Sequence, residues 1–136
     1  MKPFCHAGAI AAFLIVAVSL ASLPVRSDAA VNFGGTWHIS GSLRTAVSVG
    51  TITPICVLKQ SGNNILGPCR GPNGQGNATG VVNANRIQLV WNVIATTAYG
   101  VTGTITLHGT LGSDGVIRGT WTSSRIPGLG TFTAIR

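Results

Sequence analysis

Five side chains beyond the first thirty residues have the chemistry for catalysis or metal binding: His38, His108, Asp114, Cys56 and Cys69. Nucleophilic catalysis needs a nucleophile, a base beside it and a group that orients the base. Acid–base work by paired carboxylates needs two acids, and Asp114 is the only Asp or Glu after residue 29. A metal centre needs three or four convergent ligands. The two histidines fall at outward positions of the strand pattern described below, and Asp114 falls in a turn, so neither set assembles. The two cysteines fit a disulfide better than a redox or metal role. The expectation is a protein that is not an enzyme and carries no cofactor and no metal.

The start of the chain explains why a disulfide is expected. Lys2 precedes an apolar run from Ala7 to Leu23, followed by Pro24, a polar Arg26-Ser27-Asp28 and the small Ala29 and Ala30. That order is the order of a secretory signal peptide, with cleavage expected after Ala29. The run is short of the roughly 20 residues a spanning helix needs. Residues 1–29 therefore read as a leader and 30–136 as one exported domain, periplasmic or extracellular, where disulfides persist.

That domain carries seven basic side chains, Arg44, Lys59, Arg70, Arg86, Arg118, Arg125 and Arg136, against the single Asp114, a net charge of +6. Such a surface is drawn to polyanions and acidic envelope faces. The basic residues are scattered singly, which argues against specific nucleic-acid binding, where they cluster on one face.

The elements that would position any site are strands. In Val101–Leu111 the residues Val101, Gly103, Ile105, Leu107, Gly109 and Leu111 alternate with Thr102, Thr104, Thr106, His108 and Thr110, the period of a half-buried strand. Ile117, Gly119 and Trp121 continue the apolar face after a turn. A three-residue loop, Ser113-Asp114-Gly115, pairs Leu111 with Ile117, Gly109 with Gly119 and Leu107 with Trp121; a slip of one residue would turn the apolar face outward. Gly115 supplies the left-handed residue of a G1 bulge.

The same reading extends along the domain. Phe33–Ser40 opens it, with Gly35, Trp37 and Ile39 on one face. Leu43–Pro54 reads as a long excursion with a short edge strand. Pro54–Arg70 is a hairpin about a type II′ turn at Gly62-Asn63, a register that sets Cys56 opposite Cys69 and predicts their disulfide. Pro68 then falls where the ladder needs an N–H, and a bulge would relieve this. Gly71–Asn77 reads as a mobile polar loop by composition. Ala78–Val82 pairs with Ile87–Val93, placing Ala78 opposite Trp91. A final strand, Gly130–Arg136, turns Phe132 and Ala134 inward. About eight sequential antiparallel strands predict an all-β fold, a closed up-and-down barrel. Inward glycines, Gly35, Gly67, Gly80, Gly103, Gly109 and Gly119, suit the bends of such a barrel.

Gly35-Thr36-Trp37 on the first strand, the sequential strands and the terminal Arg136 resemble the calycin group of barrels. That group includes lipocalins, avidins and small periplasmic inhibitors of secreted metalloproteases. Trp91, Trp121 and the ending Gly130-Thr131-Phe132-Thr133 are similar to the avidins. The asparagine that biotin binders carry two residues after the first tryptophan is Ile39 here, and the last strand has no carboxylate. The expected function is binding of a small apolar ligand or envelope component at one barrel mouth, near Trp37, Trp91, Tyr99 and Trp121. The alternatives are a protein-interaction module such as a periplasmic protease inhibitor, working through Leu43–Pro54 and Gly71–Asn77, or a structural, polyanion-binding envelope protein.

Overall fold

Residues 31–45 and 49–136 are described by the structure, a computed structural model. The leader over 1–29 lies outside them, as do residues 46–48 of the Leu43–Pro54 excursion. Every regular element is a strand: β1 (Gly35–Arg44), β2 (Val49–Ile52), β3 (Ile55–Ser61), β4 (Asn64–Arg70), β5 (Gly74–Asn83), β6 (Arg86–Ala95), β7 (Gly103–Leu111), β8 (Ile117–Ser123) and β9 (Gly130–Ile135). The period of two works as expected. In β1, Trp37, Ile39, Gly41 and Leu43 are buried and the residues between them are exposed; in β9, Phe132 and Ala134 are buried and alternate with exposed Thr131, Thr133 and Ile135.

Nine strands make eight barrel staves, because β2 and β3 lie end to end along the same side of β1. Arg44↔Val49 to Gly41↔Ile52 is one run of pairs, and His38↔Ile55 to Gly35↔Leu58 is the other. Between them the chain breaks at Thr53-Pro54. A proline has no N–H for a ladder, but its carbonyl still accepts, from the Ile39 N–H at 2.9 Å. The other side of β1 is taken by β9, with Ile39↔Ala134 and Gly41↔Phe132. The sheet is thereby a closed, antiparallel, eight-stranded up-and-down barrel, which leaves no exposed edge along β1 or β9.

The hairpin registers follow the alternation. Leu111 faces Ile117, Gly109 faces Gly119 and Leu107 faces Trp121. In the loop between them Gly115 has φ +79°, and its N–H donates to the Gly112 carbonyl at 3.0 Å. Ala78 faces Trp91, Gly80 faces Leu89 and Val82 faces Ile87. Cys56 faces Cys69, and the two are joined by a disulfide with Cα atoms 4.1 Å apart, both side chains buried.

Three local expectations are corrected. Gly71–Asn77 is not a loop: β5 begins at Gly74, because Gly71 donates to the Gly74 carbonyl at 2.8 Å and closes a short turn, after which Gln75–Asn77 pair with Cys69, Arg70 and Pro68 of β4. Composition hid a strand whose polar residues simply face water. No extra residue is inserted at Pro68 either; the register is the same on both sides of Val57-Leu58 and Gly67-Pro68, where the ladder is merely interrupted. Gly35, with φ +121°, is exposed rather than turned inward.

The interruption has a physical cause shared with other bends. A Cβ on Gly67 would overlap the carbonyl oxygen of Val57, and one on Gly119 would overlap that of His108. Neighbouring backbone lies over these Cα atoms, so only glycine fits, and the strands coil tightly enough to close. Inside, one cluster runs from Phe33 and Trp37 through Ile65, Leu89 and Trp91 to Trp121 and Phe132, and no polar or charged residue is buried among the described residues.

Two turns yield predictions. Ala84, in the β5–β6 turn, holds φ +52°, a conformation costing an L-residue about 1 kcal/mol. Ala84→Gly should raise unfolding stability by about 0.5–1 kcal/mol in urea titration, the relief of strain exceeding the added freedom of the unfolded chain. Asp114 accepts from both Arg118 guanidinium nitrogens, at 3.2 and 2.8 Å, and from the Val116 N–H at 3.1 Å. These bonds, the Arg118 contact foremost, lower its pKa from 3.8 to about 2. A value depressed in the folded state stabilises fully above the unfolded value and is lost as pH falls through about 2. The urea midpoint should therefore fall between pH 5 and pH 2, and Asp114→Asn should remove that part of the fall. The pair is solvent-exposed, so the effect should be small.

Candidate functional site

The two ends of the barrel are built differently. One end carries the start of β1, the end of β9 and the tight β3–β4, β5–β6 and β7–β8 turns, and it is plugged. Phe33, ahead of β1, is fully buried. Its N–H donates to Gln60 Oε1 at 2.7 Å, and its carbonyl accepts from Trp37 Nε1 at 2.8 Å. The Arg136 guanidinium lies 4.6 Å from the centroid of the Trp37 ring, a cation–π contact, and donates to the carbonyls of Asn32 and Gly34 at 3.1 Å each. The chain's last residue thus ties the 31–34 segment across the barrel end.

The opposite end is open. A cavity of about 240 Å³ sits there, between β2, the β4–β5 turn, the β6–β7 loop and β8. Trp91, Val93, Ile105, Trp121, Ile52 and Ile126 supply its apolar walls. Thr51, Thr53, Thr104, Ser123 and Asn73 bring hydroxyls and an amide to its rim, and no Asp, Glu, Lys, Arg or His lines it. Two depressions of larger volume, about 590 and 470 Å³, lie on the outer sheet surface around Arg118 and Gly119. They are wide open depressions, whereas small-molecule sites are concave with apolar walls.

The lip of the cavity is held by hydrogen bonds centred on Asn73. Its carbonyl accepts from the Thr96 N–H at 3.0 Å, and its Oδ1 accepts from the Thr97 hydroxyl at 3.0 Å. Gly100 passes so close that a Cβ there would overlap the Asn73 carbonyl oxygen. On the far side Arg125 Nε donates to the Thr102 carbonyl at 3.0 Å, and the Thr104 N–H donates to Ser124 Oγ at 2.9 Å. Three loops are thus stitched into one rim, with Tyr99 standing 89% exposed at its edge.

The tryptophans divide between the ends. Trp91, Tyr99 and Trp121 line the cavity; Trp37 belongs to the plug. In an up-and-down barrel, alternate strands start at the same end, and Trp37 lies near the start of β1 whereas Trp91 and Trp121 lie past the middle of β6 and β8, strands that start at that same end. That strand arithmetic, available from the alternation, also points to Val93 and Ile105, which sequence reasoning did not single out. Ile52 carried no such signal, because β2 is too short to show a period.

The Trp121 ring lies over two glycines. A Cβ on Gly41 would sit 2.8 Å from Trp121 Nε1, and one on Gly130 would overlap the same nitrogen. Trp121 Nε1 donates to the Thr131 carbonyl at 3.1 Å. Trp91 differs: its Nε1 is buried and has no partner.

The chemistry-bearing side chains stay apart. His38 sits on the outer face beside Ile55 and Ile135, and His108 beside Gln88 and Thr120. Asp114 is occupied by Arg118 in its turn. Among the described residues no group of three or more His, Cys, Asp or Glu is placed to hold a metal ion. The sequence matches no protein-family model and no curated protein. The closed eight-stranded barrel is consistent with a calycin-like fold.

Gly130→Ala should push the Trp121 ring off its carbonyl and distort one cavity wall. We expect a loss of about 1–3 kcal/mol in denaturant unfolding, from overpacking and a broken bond, together with a changed near-ultraviolet circular dichroism spectrum.

Proposed function

We propose that the protein is an exported, non-enzymatic barrel of calycin type that binds a small, neutral, mostly apolar ligand in its open mouth. The observation that carries this reading is the cavity: concave, about 240 Å³, walled by two tryptophans and branched aliphatic side chains, with hydroxyls at the rim and no charge. Eight-stranded barrels have interiors just wide enough for one small ligand. The volume lies below the roughly 300–1,000 Å³ of drug-sized sites, which favours a one- or two-ring compound or a short chain. A charged ligand would lose its hydration without finding a counter-ion among the lining side chains.

The plugged end supports the same reading, since it leaves a single entrance. The resemblance to calycins rests on Gly35-Thr36-Trp37, the sequential strands and Arg136, and the place of the Arg136 guanidinium over the Trp37 ring supports it. Export rests on the leader at 1–29 and is supported by the buried Cys56–Cys69 disulfide, which suits an oxidising compartment.

A neutral, lipophilic two-ring dye, 2-acetyl-6-(dimethylamino)naphthalene, tests the site. The wild-type protein should enhance its fluorescence saturably with one site per chain, unchanged between about pH 5 and 8, because no Asp, Glu, His, Lys or Arg of the described residues lines the cavity. Ile105→Trp, which adds bulk to the wall, should weaken binding at least tenfold while the protein stays folded by far-ultraviolet circular dichroism. Dye enhancement that does not saturate, or that survives Ile105→Trp unchanged, would refute a ligand site in the mouth.

A further inference from the structure

Of the three indole N–H groups in the barrel, two donate to backbone carbonyls: Trp37 to Phe33 at 2.8 Å and Trp121 to Thr131 at 3.1 Å. The third, Trp91 Nε1, is the one buried side-chain polar atom without a partner among the described residues, and its ring is 4% exposed and lines the cavity. A buried donor left unpaired costs about 1–3 kcal/mol. Groups of this kind are rare in folded proteins and call for an explanation.

Two glycines flank this indole. The Cβ that Gly71 lacks would sit 3.7 Å from Trp91 Cη2, and the one that Gly76 lacks would sit 3.7 Å from Trp91 Nε1. Gly71 is itself part of the cavity wall. Gly71 thus brings no side chain between the ring and the cavity, whereas the place a Gly76 Cβ would take is filled by the Asn92 carbonyl oxygen.

We propose that Trp91 Nε1 is the polar recognition point of the cavity, donating a hydrogen bond to a neutral acceptor oxygen, a ketone, ester, amide or ether, on an otherwise apolar ligand. This rests on the binding reading above and sharpens it from "apolar" to "apolar with one acceptor". An indole donates and cannot accept, so a ligand offering only a donor leaves the nitrogen unpaired. A carboxylate would also accept, but it would enter a site with no lining cation.

The probes are 1-tetralone and tetralin, two-ring compounds of nearly the same shape that differ by one carbonyl. The variant is Trp91→Phe, which keeps an aromatic wall and removes the N–H. Affinities are read by calorimetry, and the three indole N–H signals by ¹H–¹⁵N NMR on the wild-type protein. The ratio of tetralin to tetralone dissociation constants should drop about tenfold on going from wild type to Trp91→Phe. The Trp91 indole proton should move downfield with tetralone and not with tetralin, while the Trp37 and Trp121 protons, already bonded, show no such difference between probes. The NMR readout needs no variant, so it stands even if Trp91→Phe does not fold. If both probes bind but the ratio is the same in both proteins and the Trp91 proton responds alike to each, the donor assignment is wrong and the binding reading survives. If neither probe binds at its solubility limit, both fall.

Discussion

Closure of the sheet is the constraint on which everything else in this molecule depends. Eight staves must coil until β1 meets β9, and coiling that tight brings the backbone of one strand over the Cα atoms of the next. The chain meets this with glycine: the carbonyls of Val57 and His108 occupy the places where side chains of residues 67 and 119 would be. The same requirement explains why Pro68 is tolerated. It falls where the β3–β4 ladder is already interrupted beside Gly67, so its missing N–H removes a bond the geometry does not make.

Once closed, the barrel is asymmetric along its axis. At one end the 31–34 segment folds back, Phe33 fills the opening, and Trp37 and Arg136 lock it. Among the described residues the other end has no plug, only a rim of loops fastened at Asn73 and Arg125. The aromatic side chains divide accordingly: Trp37 closes a barrel end, while Trp91 and Trp121 wall a cavity. The broken stave at Thr53-Pro54 belongs to this second end too, since Ile52 and Thr53 line the cavity where β2 gives way to β3.

Much of this was legible because burial in a two-faced strand is a binary property written at every second residue. Leu107 could face Trp121, and Leu111 face Ile117, in one register only, and Cys56 could reach Cys69 only in the register their hairpin turn sets. Where the pattern was weak, reading failed. Gly74–Asn77 belongs to a strand, but glycine, glutamine and asparagine carry no contrast between faces, so composition suggested a loop. The positions of the tryptophans along the barrel axis were present in strand direction rather than in residue type. The unpartnered nitrogen of Trp91 was beyond reach altogether: alternation places a ring inside, but whether its N–H meets a carbonyl depends on ångström-scale offsets between strands. The plug was half visible, since Trp37 and Arg136 are apparent as residues, but their contact joins two ends of the chain that local patterns cannot relate.

The solitary Asp114 has one more consequence. The Arg118 guanidinium beside it lowers its pKa to about 2, and against it stand six arginines and one lysine in residues 30–136. Residues 30–136 therefore carry a surplus of six positive side chains, with a single carboxylate among them to offset it. The attraction of such a surface to any anionic face is screened by salt.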